Sequence, residues 1–232
     1  MIGGDTANSI PSELISSLKK LRLQEVSLIT SAPSVISELA DAKIISDVLT
    51  SVPQEDRNGC PAYETLPIET LSEKALSEAI RAGGSGLGGV YLPTNTLSDV
   101  STHVEKSTTF VEPVKADVAI IRALKSDTLG NLIYSNAQKT WSPLMATAGL
   151  ITIAEVDEIV AAGELSPEHI VTPSIYVDRI VLRSKKSSNS QLPHNATFSN
   201  TLSKSKIYPC GLSAMSDIKD GSTILIDGFA GP

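Results

Sequence analysis

Two hydrophobic periods alternate along the chain and divide it into helices and strands. From Ile10 onward, Leu14, Ile15, Leu18 and Leu21 recur at helical spacing, with Pro11 suited to a first turn. Val26-Ser27-Leu28-Ile29-Thr30 then reads as a strand, Val35 to Leu39 as a short helix and Ile44 to Leu49 as a second strand. A longer helix is predicted over Ser72 to Ala82, with Ala75, Leu76, Ala79 and Ile80 on one side and Gly83 placed to stop it. The run Val118-Ala119-Ile120-Ile121 is continuously apolar, as expected of a strand covered on both faces. Ile151 to Ala154 and Ile175 to Leu182 add further strands. Strands alternating with helices predict an α/β fold, a mainly parallel sheet wrapped by helices.

The glycines of Gly84-Ser85-Gly86-Leu87-Gly88-Gly89 satisfy the spacing of a dinucleotide-binding loop but not its context. Such a loop follows a strand and opens a helix, so that a pyrophosphate meets the helix N-terminus. Here a helix ends at the glycines and a strand, Val90-Tyr91-Leu92, follows. No Lys-Ser/Thr pair closes the loop, which removes the P-loop reading as well. What remains is either a helix cap with a permissive turn or a loop whose bare backbone approaches a ligand. Glu155, Asp157 and Glu158 form an acidic cluster, read as the first turn of a helix, where negative charge complements the helix dipole. Paired carboxylates for acid–base work are the alternative reading.

Charge and composition narrow the classes. A net charge of −7 argues against a nucleic-acid footprint, which needs a basic face, and leaves room only for a local basic patch. No apolar run approaches the roughly 20 residues of a spanning helix, and the N-terminus has no signal-peptide arrangement. These features point to a cytoplasmic protein, with the mitochondrial matrix as the alternative. Cys60 and Cys210 stand apart, His103, His169 and His194 are dispersed, and neither set has metal-ligand spacing, so no metal site is expected. Arg183 to Lys206 is rich in Ser and Asn, carries five basic residues and no acid, and reads as a flexible linker.

Several strings together carry a family resemblance. They are IRAGGSGLGGVYLPT, ADVAIIRALKSDTLGNLIY, WSPLMATAGLITIAEVDEIV and GELSPEHIVTPSIYVDRIV. The chain resembles the α subunit, or α half, of the family I coenzyme A transferases of 3-oxo and short-chain acids. The resemblance is dense from about Ile80 to Val181. It implies a ping-pong transfer of coenzyme A from an acyl-CoA to a carboxylic acid, with a glutamate nucleophile on a β partner and no catalytic residue in this chain. It implies coenzyme A thioesters as substrates, no permanently bound cofactor, and a hetero- or homo-oligomer. A non-catalytic ligand-binding domain of similar fold and an acyl-CoA hydrolase relative are the alternatives.

By the same resemblance, Gly83, Gly84, Gly86 and Tyr91 fall in the family's Gly-rich segment near the acyl-CoA site, and Asn95 replaces a usual Gly. Gly228, Phe229, Gly231 and Pro232 match a Gly-Phe loop, in which Asp227 replaces a Gly able to take a positive φ. Thr30-Ser31-Ala32 stands where the family carries paired Asn residues, and Glu73 and Lys74 stand near the place of an oxyanion-binding Gln. The Lys125 to Asn131 turn and Trp141 to Met145 are read as scaffold.

The string DGSTILIDGF, beginning at Asp220, looks like the family's opening signature, yet here it closes the chain. The chain therefore reads as circularly permuted. Residues 1–182 form the main body, 183–206 a connector, and 207–232 the family's first strand and Gly-Phe loop, completing the same domain. On this reading the strand around Ile224 to Ile226 lies beside Val26 to Ile29, and the two termini lie close together.

Overall fold

The computed structural model describes residues 10–51, 65–94, 108–135, 138–184 and 205–227. Strand β1 (Val26–Thr30) sits between helices α1 (Ser12–Lys20) and α2 (Pro33–Asp41) in sequence, followed by β2 (Ile45–Thr50) and β3 (Ile68–Thr70). Helix α3 (Glu73–Gly84) leads to β4 (Val90–Pro93) and β5 (Thr108–Val111), which pair antiparallel in a small separate sheet. The long strands β6 (Ala116–Asp127) and β8 (Gly149–Val160) flank β7 (Leu132–Ile133) and α4 (Ser142–Ala148). Strand β9 (Arg179–Leu182), β10 (Ile207–Tyr208), the single turn α5 (Gly211–Ala214) and β11 (Thr223–Ile226) complete the described elements.

The main sheet has the order β10-β9-β8-β6-β11-β1-β2-β3, with every neighbour on that path parallel and β7 antiparallel to β6. The last strand in sequence is therefore central in space. Leu28 lies opposite Ile224 on one side, and Ile226 lies opposite Ile120 on the other. This is the pairing expected from the sequence for Ile224 to Ile226. The termini themselves lie outside the described residues.

Both faces of the sheet are covered, which is why its inner strands read as unbroken apolar runs. Ile224 and Ile226 pack under Leu14, Ile15 and Leu18 of α1 and Val35, Ile36 and Leu39 of α2. Leu225 points to the other face, with Leu76 and Ile80 of α3, Met145 of α4 and Trp141.

Three expectations need correction. Helix α3 runs through Gly83 and Gly84 instead of stopping at Gly83. The acids Glu155, Asp157 and Glu158 do not open a helix; they lie inside β8, whose hydrogen bonds to β6 extend to Val160. Alternation of Glu155, Val156 and Asp157 is a period of two, and the pairing with β6 outweighs the local preference of acids for a helix start. The strand predicted from Ile175 begins only at Arg179, because Ser174–Tyr176 forms a 3-10 turn. Of the predicted linker, residues 185–204 lie outside the described residues. Its two ends are held: Ile180 donates to the Lys206 carbonyl, and Ser184 donates to the Glu13 carboxylate.

Candidate functional site

Strands β1 to β3 run outward on one side of β11, and β6, β8, β9 and β10 run outward on the other. In a parallel sheet the crevice for ligands opens at the carboxyl ends of the strands where this direction reverses. Here that point is the boundary of β11 with β6. Asp227 leaves β11 there, donating its amide to the Ile120 carbonyl at 3.0 Å. Its φ is not positive, so aspartate fits this position without left-handed strain. The Asp227 carboxylate is buried and accepts a hydrogen bond from Ser142 Oγ, which also reaches the Arg122 carbonyl at 2.9 Å. Burial pushes the Tyr134 phenol far up, with the Asp227 charge adding to the shift and the hydrogen bond to Thr172 opposing it. Gly228, Phe229 and Gly231 lie outside the described residues.

At the end of β1, Thr30 Oγ1 accepts the Ala32 amide, and α2 begins at Pro33. Glu73 and Lys74 lie exposed in the first turn of α3, where Ser72 supplies the N-cap by accepting the Ala75 amide. Acidic Glu73 suits that end of the helix dipole.

The glycine segment divides into two pairs with different work. A Cβ on Gly83 would stand 1.8 Å from the Val114 carbonyl oxygen, and one on Gly84 would stand 2.1 Å from Thr147 Oγ1. These two glycines let α3 press against the approach to β6 and against α4. Gly86 takes φ +71°, and the amides of Gly86 and Leu87 return to the carbonyls of Gly83 and Ala82. That is a Schellman cap, in which glycine avoids the Cβ penalty. Nothing lies within 4 Å of a Cβ built on Gly86 or Gly88. Beyond the turn, Tyr91 is 72% exposed and meets the Phe110 ring in a tilted contact, with centroids 5.2 Å apart and planes 59° from parallel. Of the four residues singled out in this segment, Gly86 and Tyr91 face open space, whereas Gly83 and Gly84 serve packing.

A charged centre that the sequence motifs do not announce lies on the opposite face. Arg122 on β6 and Glu155 on β8 are register partners, with 1% and 0% of their side chains exposed. Arg122 Nη1 meets Glu155 Oε1 at 3.2 Å, and Nη2 meets Asp157 Oδ1 at 2.6 Å. The Arg183 guanidinium lies 3.7 Å from Glu155 and 3.8 Å from Asp157. Glu155 Oε2 accepts the amides of Glu13 and Leu14 at 2.9 and 3.0 Å. So enclosed, Glu155 is not presented to a substrate. The available signal was Arg122 standing within an apolar run, since a buried cation requires an anion on a neighbouring strand.

Burial raises the Glu155 pKa above its ordinary 4.5, against the opposing pull of the Leu14 amide, Arg122, Arg183 and the Glu13 amide. The folded chain therefore holds this proton at a higher pH than the unfolded chain does. Glu155's contribution to stability is fully present below the ordinary value and is lost as pH rises through the raised one. The Tm difference, wild type minus Glu155→Gln, should accordingly shrink as pH is raised from about 4.5 towards neutrality. A difference independent of pH would contradict this assignment.

The profile of the family described as Coenzyme A transferase matches residues 1–183. The chain belongs to the coenzyme A transferase family. It is 35% identical over 192 residues to the A subunit of a probable succinyl-CoA:3-ketoacid coenzyme A transferase of Bacillus subtilis strain 168, covering 78% of this chain and 81% of that one. It is 33% identical over 197 residues to the alpha subunit of the acetate CoA-transferase of Escherichia coli K12, covering 78% and 88%. Among solved structures, a variant of the decarboxylase AibA/AibB aligns with a TM-score of 0.63 at 23% identity, covering 78% of this chain and 75% of that one. Glutaconate coenzyme A-transferase of Acidaminococcus fermentans aligns with a TM-score of 0.60 at 19% identity, covering 78% and 68%. At these identities the structural likeness establishes the coenzyme A transferase fold. The family match ends at residue 183, whereas β11, in the middle of the sheet, lies beyond it.

Proposed function

We propose that this chain is the α half of a transferase that moves coenzyme A between a short-chain acyl-CoA and a short-chain carboxylic or 3-oxo acid. What carries the reading is that the relatives matching 78% of the chain are themselves single subunits, of the A or alpha kind, of transferases for such acids. The nucleophilic glutamate belongs to a β partner. Its carboxylate attacks the thioester carbonyl, giving a mixed anhydride and coenzyme A thiolate. The thiolate then attacks the enzyme's acyl carbon, releasing the first acid and leaving an enzyme thioester, and the second acid reverses the sequence. In this chain Gly86 and Tyr91 contact the acyl-CoA, Gly83 and Gly84 hold that loop in place, and Gly228, Phe229 and Gly231 belong to the same substrate-binding set. Residues 207–232 complete the domain as its permuted first strand, and the working compartment is the cytoplasm.

The isolated chain should show no transfer. Adding a matching β chain should raise exchange between an acyl-CoA and a free acid by at least about three orders of magnitude, with ping-pong initial rates. Borohydride reduction of the thioester form should label the partner. Label on this chain would overturn the division of labour. Release of free acid without an acceptor would favour a hydrolase, and binding of coenzyme A thioester without turnover in the pair would favour a non-catalytic ligand domain.

A further inference from the structure

The first turn of an α-helix leaves amides without intrahelical partners, and an N-cap side chain ordinarily accepts those of its second and third residues. In α1 the N-cap position holds Pro11, which has no acceptor side chain, and no local side chain caps the helix. The second and third amides belong to Glu13 and Leu14, and both are taken by one oxygen of Glu155, more than 140 residues away in sequence. We propose that Glu155 is a remote N-cap, a positioning residue on β8 that fixes the first turn of α1 at the carboxyl edge of the sheet, beside the end of β11.

The surroundings of Glu155 suit that work. Its other oxygen faces Arg122, and Arg122 is itself anchored to Asp157, so the carboxylate cannot swing away from α1. The carboxylate of Glu13 accepts both the amide and the hydroxyl of Ser184, tying the same turn to the segment that follows β9. Further along α1, Ser17 lies against Gly211, where an added Cβ would stand 2.5 Å from Ser17 Oγ, so the helix cannot slide. The register places the clamp beside the mouth. Ile226, the last residue of β11, is level with Ile120, and Arg122 and Glu155 lie two residues further along the same direction. Any displacement of the first turn of α1 is therefore felt where β11 ends.

Glu155→Gln tests the cap with little change of shape. A carboxamide has one oxygen, so either the α1 amides or the Arg122 guanidinium must face an NH2 group. Arg122 keeps Asp157 as its partner, which preserves the sheet. Hydrogen exchange of the whole chain at pH 7 should show protection of Glu13 and Leu14 falling about tenfold, with Ile120 and Ile153 unchanged. Adding Pro11→Asp should restore that protection, because it supplies an acceptor in the ordinary N-cap position. A purely packing role for Glu155 would give no such rescue. Unchanged or uniformly lowered protection would overturn the proposal. Should the single variant not fold, folding of the double variant supports the cap, and equal failure of both overturns it.

The link to the mouth rests on the transferase reading. With the β partner added, Glu155→Gln should raise the KM for acyl-CoA about tenfold while kcat stays within about twofold. Lost protection with an unchanged KM would overturn that link. A wild-type pair without transfer activity would overturn the transferase reading, and the exchange result would still decide the cap.

Discussion

A chain ending at residue 210 is expected not to fold. It would lack α5 and β11, and β11 is hydrogen-bonded on both sides, to β1 and to β6. Ile224, Leu225 and Ile226 are fully buried, and they supply apolar contacts to both faces of the sheet. Their burial alone contributes roughly 5–9 kcal/mol, comparable to the whole stability of an ordinary domain. Two inner edges would also be left with unpaired backbone groups, which adds to the loss. The matching rescue is to place residues 211–232 ahead of residue 1. If the chain is permuted, that order restores a direct path from β11 into α1. Urea unfolding followed by circular dichroism should then show one cooperative transition with a midpoint near that of the wild type. A relocated chain that stays unfolded would defeat the permutation, although the truncation result would stand.

The second large effect separates the glycines. Gly83→Ala should destabilise the fold by about 3 kcal/mol, the upper end of the overpacking range. The atom it meets is the Val114 backbone carbonyl, which is tied down because the Val114 amide donates to Ala79 on α3. Gly84→Ala meets Thr147 Oγ1, Cβ and backbone carbon together, so a side-chain rotation alone does not relieve it. Gly86→Ala should lose about 1 kcal/mol for its left-handed φ. Gly88→Ala, in open space without positive φ, should stay within about 0.5 kcal/mol. Urea midpoints read all four. A neutral Gly83→Ala would show that α3 does not need this close approach. With the β partner present, changes at Gly86 and Tyr91 should alter the KM for acyl-CoA out of proportion to stability, which is how a contact loop differs from a packing joint.

Much of this was legible in the sequence because burial leaves a periodic trace. The stripe Leu14, Ile15 and Leu18 marked α1, and the unbroken run at Val118 to Ile121 marked a strand enclosed on both faces. The order of helix, glycines and strand around Gly84 excluded a dinucleotide loop, and the structure keeps that order. The string at Ile224 to Ile226 was short, yet its apolar character and its place in the family signature were enough to seat it beside β1.

Other features were not legible, for a common reason. A residue's chemistry in a fold depends on the neighbour it meets, and that neighbour is set by packing between elements distant in sequence. The acids at Glu155 to Glu158 carry the local signature of a helix start, but the parallel pairing of β8 with β6, which runs from Gly149 to Val160, holds them in a strand. Gly83 and Gly84 look like loop glycines until Val114 and Thr147 are placed against them.

By itself, the sequence determined the alternation of helices and strands, the parallel α/β class and the family resemblance. Each of these follows from periodicity or from strings a few residues long. Tertiary structure alone decided that Arg122 meets Glu155 and Asp157 on one face of the sheet and that Glu155 caps a helix lacking a cap of its own. It likewise decided which glycines are packed and which are open. The physical reason is that backbone amides, buried charges and missing Cβ atoms are satisfied across space, by groups whose distance along the chain carries no signal.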